Sequence, residues 1–136
     1  MPFVIDASVV VAWALQEVHP TAAVASARID NEQAVAPALW WFEVRNGLIM
    51  NERRGRVRQV RTAEFLEQLA TLDVLVDVAP VEMQVLGLAR RHHLTVYDAA
   101  YLELALRLGL PLATLDMPLA AASRAEAVPL IGGGAD

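Results

Sequence analysis

An α/β fold, a three-layer α/β/α sandwich around a mostly parallel sheet of about five strands, is predicted by three features of the sequence. Short apolar runs alternate with helical stretches from end to end, which is the pattern of a parallel sheet covered on both faces. The first run, Phe3-Val4-Ile5, is apolar at every position and feeds directly into a helix, as buried parallel strands do. Two of the runs end on an acid, Asp6 and Asp116, and function in such sheets collects beyond the carboxyl ends of the strands.

Taken in order, Phe3–Ile5 is a strand followed by a helix from about Ser8 to Gln16. Pro20 opens a second helix, with Ala22, Ala23, Ala27 and Ile29 spaced for one face. Ala34–Ala36 is a weak strand stopped by Pro37. From Ala38 to Arg54 the positions Leu39, Phe42, Asn46, Gly47, Leu48 and Ile49 suit a helix that Gly55 ends. A further helix turns Val60, Phe65, Leu66 and Leu69 inward, Val74–Val78 is a strand containing Asp77, and Pro80 starts a helix running to about His92. Thr95–Leu108 is helical, Leu112–Leu115 a strand, Pro118–Ala125 a helix, and Val128–Ile131 the fifth strand. Residues 1–131 form one domain by this reading, and 132–136, with their glycine run, a flexible tail.

Composition narrows the chemistry. The chain has 136 residues, 56% of them hydrophobic and 20% charged, which suits one packed core and excludes a disordered chain. No uncharged run is long enough to span a bilayer, and the apolar stretch Ala7–Leu15 lacks the basic flank of a signal peptide, so a cytoplasmic protein with no membrane association is expected. Cysteine is absent, which removes disulfides and thiolate metal sites. Lysine is absent too, which removes Schiff-base and P-loop chemistry. Sixteen acids outnumber eleven arginines for a net charge of −5, yet Arg53, Arg54, Arg56, Arg58 and Arg61 crowd one short stretch that suits a polyanion as well as a solvated helix end.

Four acids carry the argument. Asp6 and Asp116 each follow a strand, although either would also serve as a helix N-cap. Glu43 lies within Leu39-Trp40-Trp41-Phe42-Glu43-Val44, where an unpaired buried carboxylate is costly, so it needs an arginine such as Arg45 or a cation; Asn46 follows on the same face. Asp98 fits the third helical position of a capping box begun by Thr95. Together, acids at two strand ends, one helix start and one apolar helix can meet at one rim of a parallel sheet. Like charges 4 Å apart repel by about 4 kcal/mol at an effective dielectric of 20, so four of them call for a divalent ion. Oxygen-only donors suit Mg²⁺ or Mn²⁺. His92-His93 reads as a polar helix end before it reads as a ligand pair, and Trp13, Trp40 and Trp41 as packing before base stacking.

Val4-Ile5-Asp6-Ala7-Ser8, Glu43-Val44-Arg45-Asn46, Tyr97-Asp98-Ala99-Ala100-Tyr101-Leu102 and Thr114-Leu115-Asp116 together resemble the PIN domain, and within it the small VapC-like toxins of toxin–antitoxin pairs. The resemblance spans nearly the whole chain in order, departing from those toxins in its lack of lysine. It implies an endoribonuclease dependent on Mg²⁺ or Mn²⁺, hydrolysing RNA phosphodiesters by metal-activated water. Asp6, Glu43, Asp98 and Asp116 are then the catalytic and metal-binding acids, supported by Ser8, Asn46 and Thr114, with the Arg53–Arg61 stretch available to the RNA backbone. A cognate antitoxin and homodimer formation are implied as well. A haloacid-dehalogenase-like phosphatase also places an acid after its first strand, but it wants a second Asp where Ser8 stands. A non-cutting PIN-like module that binds RNA or protein is the other alternative.

Overall fold

The computed structural model describes residues 1–133. Four strands, β1 (Phe3–Ile5), β2 (Ala34–Pro37), β3 (Val74–Asp77) and β4 (Leu112–Ala113), form one sheet in the order β3-β2-β1-β4. Every pairing is parallel, with Val4 registered against both Val35 and Leu112, and Pro37 against Asp77. The two inner strands are buried along their whole length, as a sheet covered on both faces requires. Pro37, which has no N–H to donate, ends β2 beyond the residues registered against β1.

Seven α-helices flank the sheet among the described residues: α1 (Ala7–Leu15), α2 (Pro20–Ile29), α3 (Trp40–Arg53), α4 (Gln59–Leu69), α5 (Glu82–His92), α6 (Val96–Leu108) and α7 (Met117–Ala125). Helix α6 lies against β1, β2 and β4 and packs on α5 and α7, while α1 packs on α2, α3 and α4. Gly47 lets α3 pack closely on α1, since a Cβ there would meet Val11 Cγ2 at 2.7 Å. The molecule is therefore the three-layer parallel α/β sandwich that the alternation predicts.

The fifth strand is the main departure. Val128–Ile131 contributes a single parallel bridge, Leu112 to Leu130. Pro129 has no N–H to extend the ladder; its carbonyl accepts from Leu112 N at 2.9 Å, and the chain then turns into a 3₁₀ turn, Ile131–Gly133. Gly132 and Gly133 belong to that turn, which packs on α2; the rest of the expected tail, residues 134–136, lies outside the described residues.

Several expected inward positions face solvent. In α2 the buried stripe is Thr21, Ala22, Ala25 and Ile29, so Ala23 and Ala27 point outward. In α3 it is Trp40, Val44, Leu48 and Asn51, which leaves Phe42 and Ile49 exposed. Val60 is exposed at the start of α4, where Thr62, Phe65 and Leu69 take the inner face. These helices are apolar on more than one side, so spacing alone offered rival faces.

Candidate functional site

The sheet order fixes where the site can form. The chain leaves β1 toward β2 on one side and returns as β4 on the other, so the carboxyl ends of β1 and β4 flank a switch point. Asp6 follows β1 there, and Thr114 and Asp116 follow β4.

Asp6 occupies the N-cap position of α1 with extended backbone, yet its side chain makes no capping hydrogen bond. The buried carboxylate turns instead to two hydroxyls: Ser8 Oγ and Thr114 Oγ1 each donate to Oδ2 at 2.7 Å. Ser8 Oγ in turn accepts from Leu115 N at 3.0 Å, and Thr114 Oγ1 from Asp116 N at 3.0 Å. The start of α1 and the segment after β4 are thus stitched together around one carboxylate. Asp116 does cap its helix, accepting from Leu119 N at 2.9 Å.

Glu43 and Asp98 come from α3 and α6. Glu43 Oε1 accepts from the phenol of Tyr101 at 2.6 Å. Arg45 does not reach Glu43; it donates to Trp41 O and lies over the Trp41 ring at 4.0 Å. Thr95 Oγ1 accepts from Asp98 N at 3.0 Å, which is the capping geometry expected. Among the described residues none of the four acids enters a salt bridge.

The acids feel one another. Burial pushes the Asp6 carboxyl up to about 6; the Ser8 and Thr114 hydroxyls oppose this, and the charges of Glu43 and Asp116 add to it. Burial, then Asp116 and Asp6, push Asp98 up to about 6 as well, with Thr95 pulling back. Glu43 is raised by burial, lowered in part by Tyr101, and raised again by Asp98 and Asp116. Each of the six pairs within the quartet is therefore close enough to repel.

The expectation of a tight quartet is corrected in one respect: among the described residues no three His, Asp or Glu groups converge closely enough to hold a metal ion between them. The side chains have other engagements. Tyr101 holds Glu43, the first turn of α7 holds Asp116, and mutual repulsion opposes closer approach.

The PIN domain family model matches residues 3–124. The chain belongs to the PIN domain family. It is 35% identical over 130 residues to ribonuclease VapC3 of Pyrobaculum aerophilum, covering 88% of this chain and 93% of that one. Its structure resembles the crystal structure of a Pyrobaculum aerophilum protein, with a TM-score of 0.71, 28% identity and coverage of 90% and 84%. It also resembles a toxin–antitoxin complex from Klebsiella pneumoniae, with a TM-score of 0.52, 18% identity and coverage of 84% and 86%, a likeness of fold alone. Membership of the PIN domain family sets aside the phosphatase alternative.

Sequence reasoning passed over one residue of the candidate site. Tyr101 is fully buried, and burial with the charges of Asp6 and Glu43 holds its phenol far above the ordinary value, so it remains a donor to Glu43. The signal was available: a tyrosine one turn after Asp98, on the buried face of an apolar helix, must find a hydroxyl partner. Asn46 sits beside Glu43 on the wall of a cavity of about 370 Å³.

The arginine stretch divides. Arg53, Arg54, Arg56 and Arg58 are exposed around the α3–α4 turn. Arg61 departs from the expected RNA-facing group: its Nε donates to Ala14 O at 3.2 Å and its guanidinium lies over Phe65. His92 pairs with Glu126 at 2.6 Å, the polar helix-end role favoured by the sequence.

Proposed function

We propose that this PIN domain is an endoribonuclease dependent on Mg²⁺ or Mn²⁺, the toxin of a toxin–antitoxin pair. The single observation that carries the reading is the quartet of mutually repelling carboxylates, without a basic partner, at the switch point of a chain 35% identical to a ribonuclease. All-oxygen donors of this kind fit a hard divalent cation. Asp6, Glu43, Asp98 and Asp116 would hold it through intervening water or once their side chains swing together, because as they stand no three of them converge on one ion. When bound, the cation supplies an activated water and neutralises charge developing on the phosphodiester.

The protein's own residues do the positioning. Ser8 and Thr114 both engage Oδ2 of Asp6, which fixes the carboxylate and leaves Oδ1 for a ligand. Tyr101 keeps its proton and aims Glu43. Asn46 offers a neutral amide where a further acid would repel RNA. Exposed Arg53, Arg54, Arg56 and Arg58 supply positive charge for the backbone of the substrate.

The partners proposed are RNA, a cognate antitoxin and a second copy of the chain, in the cytoplasm. The groove where Trp13, Phe65 and Leu72 meet the polar Ser26, Asp30, Arg61 and Gln68 is the place proposed for an amphipathic antitoxin helix. No described helix is long and apolar enough to cross a membrane.

Incubation of the purified chain with RNA and Mn²⁺ tests the reading. Cleavage is expected, EDTA abolishes it, and Asp98→Asn slows it by at least about 100-fold while the fold persists. Calorimetric titration with Mn²⁺ in parallel separates a nuclease from a non-cutting module, because a module without a metal site gives no heat from these acids. Cleavage at full rate in EDTA would overturn the proposal.

A further inference from the structure

Three of the four acids are each preceded or followed in sequence by a large apolar side chain held out in solvent. Phe42, before Glu43, is 70% exposed; Tyr97, before Asp98, is 63% exposed; Met117, after Asp116, is 61% exposed. Exposed apolar groups scattered singly need no explanation, but these sit at the margin of a polar site. Phe42 and Tyr97, from different helices, line one open cavity of about 370 Å³ with Leu39, Glu43 and Asn46. The size is in the range of small-ligand sites.

The chemistry of the lining selects the occupant. No arginine or histidine lines the cavity, and the Glu43 carboxylate on its wall repels phosphate. The part of a nucleic acid that can enter is therefore a neutral base. Two aromatic faces are what an unstacked base seeks, and the Asn46 amide presents both a donor and an acceptor to a base edge. An apolar protein segment fits less well, because it would seal Glu43 and Asn46 from water with only the Tyr101 phenol as compensation. Outside the cavity, Trp41 is 49% exposed, meets Phe42 edge-on at 5.0 Å and carries Arg45 over its face. That places a cation beside the aromatic platform, where the backbone flanking the base would run.

We infer that Phe42 and Tyr97 form a nucleobase subsite in which one unpaired base of the RNA substrate stacks beside the acids, its edge read by Asn46. The inference rests on the ribonuclease reading and deepens it: the substrate is single-stranded at that position, and cleavage depends on the base held there. A stacked base is worth enough that losing the aromatic face weakens binding roughly 5- to 100-fold.

The test uses short oligoribonucleotides carrying one 2-aminopurine walked along the strand, titrated with the Asp6→Asn chain in Mn²⁺ so that cutting is silenced. Fluorescence is expected to be quenched strongly at one position. Adding Phe42→Leu or Tyr97→Leu removes the quench and weakens binding by that factor, whereas Tyr97→Phe retains both. In the otherwise wild-type chain, an abasic site at that position slows cleavage, and Tyr97→Leu adds little to the effect. Both positions are exposed, so folding is checked by thermal melts and expected to be unchanged. Cleavage indifferent to the abasic site and to both leucine variants overturns the subsite and leaves the nuclease standing. A position-specific quench lost in Tyr97→Leu, with no cleavage of any RNA by the wild-type chain, supports the subsite and sinks the nuclease. Leucine variants that change only the sedimentation of the protein, with the quench intact, overturn the inference and make this face a protein interface.

Discussion

At Asp6, two hydroxyls and a backbone that would otherwise use the residue as a cap hold a carboxylate in a buried place where burial and neighbouring charge oppose ionisation. The sign of the consequence is set by that upward shift. A carboxyl at 3.8 in the unfolded chain and about 6 in the folded one favours folding fully below 3.8, and that contribution is lost as pH rises through about 6. The loss for Asp6 is about 3 kcal/mol, from the rise between 3.8 and about 6; half-buried Asp98 adds a smaller share in the same direction. Without divalent cations the melting temperature is expected to fall by several degrees between pH 5 and pH 8. Asp6→Asn flattens that slope, and Mn²⁺ restores stability at pH 8 more than at pH 5. A melting temperature that climbs over the same range would contradict the electrostatic picture. All four acids proposed for the site stand out in the sequence by position. Their hydrogen-bond partners were less so, because Ser8 and Thr114 lie 2 and 108 positions from Asp6 and only the pairing of β1 with β4 brings the second one in.

Helix α6 shows how one element serves both the site and the fold. Its first turn presents Asp98, the next places Tyr101 against Glu43, and further along Glu103 is buried and bound by Arg107 at 2.9 Å. Arg107 also reaches Asp77 at the end of β3, at 2.6 Å, so a single guanidinium ties α6 to the edge of the sheet. Its removal leaves the Glu103 carboxylate buried without a partner. Arg107→Leu is therefore expected to destabilise the fold by about 3 kcal/mol, measured by urea unfolding, with Glu103→Gln in the same background recovering part of the loss. An unchanged midpoint would show that Glu103 finds water instead. The Thr95 cap of this helix was readable from four residues. The outward turn of Phe42 in α3 was not, because Trp40, Trp41 and Phe42 are all apolar and only the packing of α3 on α1, with Gly47 against Val11, selects which one is buried.

The whole chain carries a charge of −5 and yet is proposed to hold a polyanion, so binding depends on where the positive charge lies and on a cation at the acids. Arg54 and Arg58 are exposed at the α3–α4 turn, away from any of the described salt bridges. Replacing both with glutamine is expected to weaken RNA binding about equally across sequences. It also flattens the salt dependence, by about 0.7 in logarithmic slope for each phosphate that is no longer neutralised. Arg61→Gln is expected to act on stability instead, since its guanidinium holds the carbonyl end of α1. If the salt slope is the same in the double variant and in the unmodified chain, this turn does not touch the backbone.

What the amino-acid order determined by itself is the alternation of short apolar strands with helices, and with it a parallel sheet whose carboxyl rim would collect the acids. Those properties are local, written in spacing, capping residues and the polarity of neighbours. Tertiary structure alone decided the truncation of the fifth strand, the inward turn of Arg61, the pairing of Tyr101 with Glu43 and the emergence of an aromatic cavity beside the acids. Each depends on which of several apolar faces finds a partner, and on side chains meeting across tens of residues, a competition that no window of sequence contains.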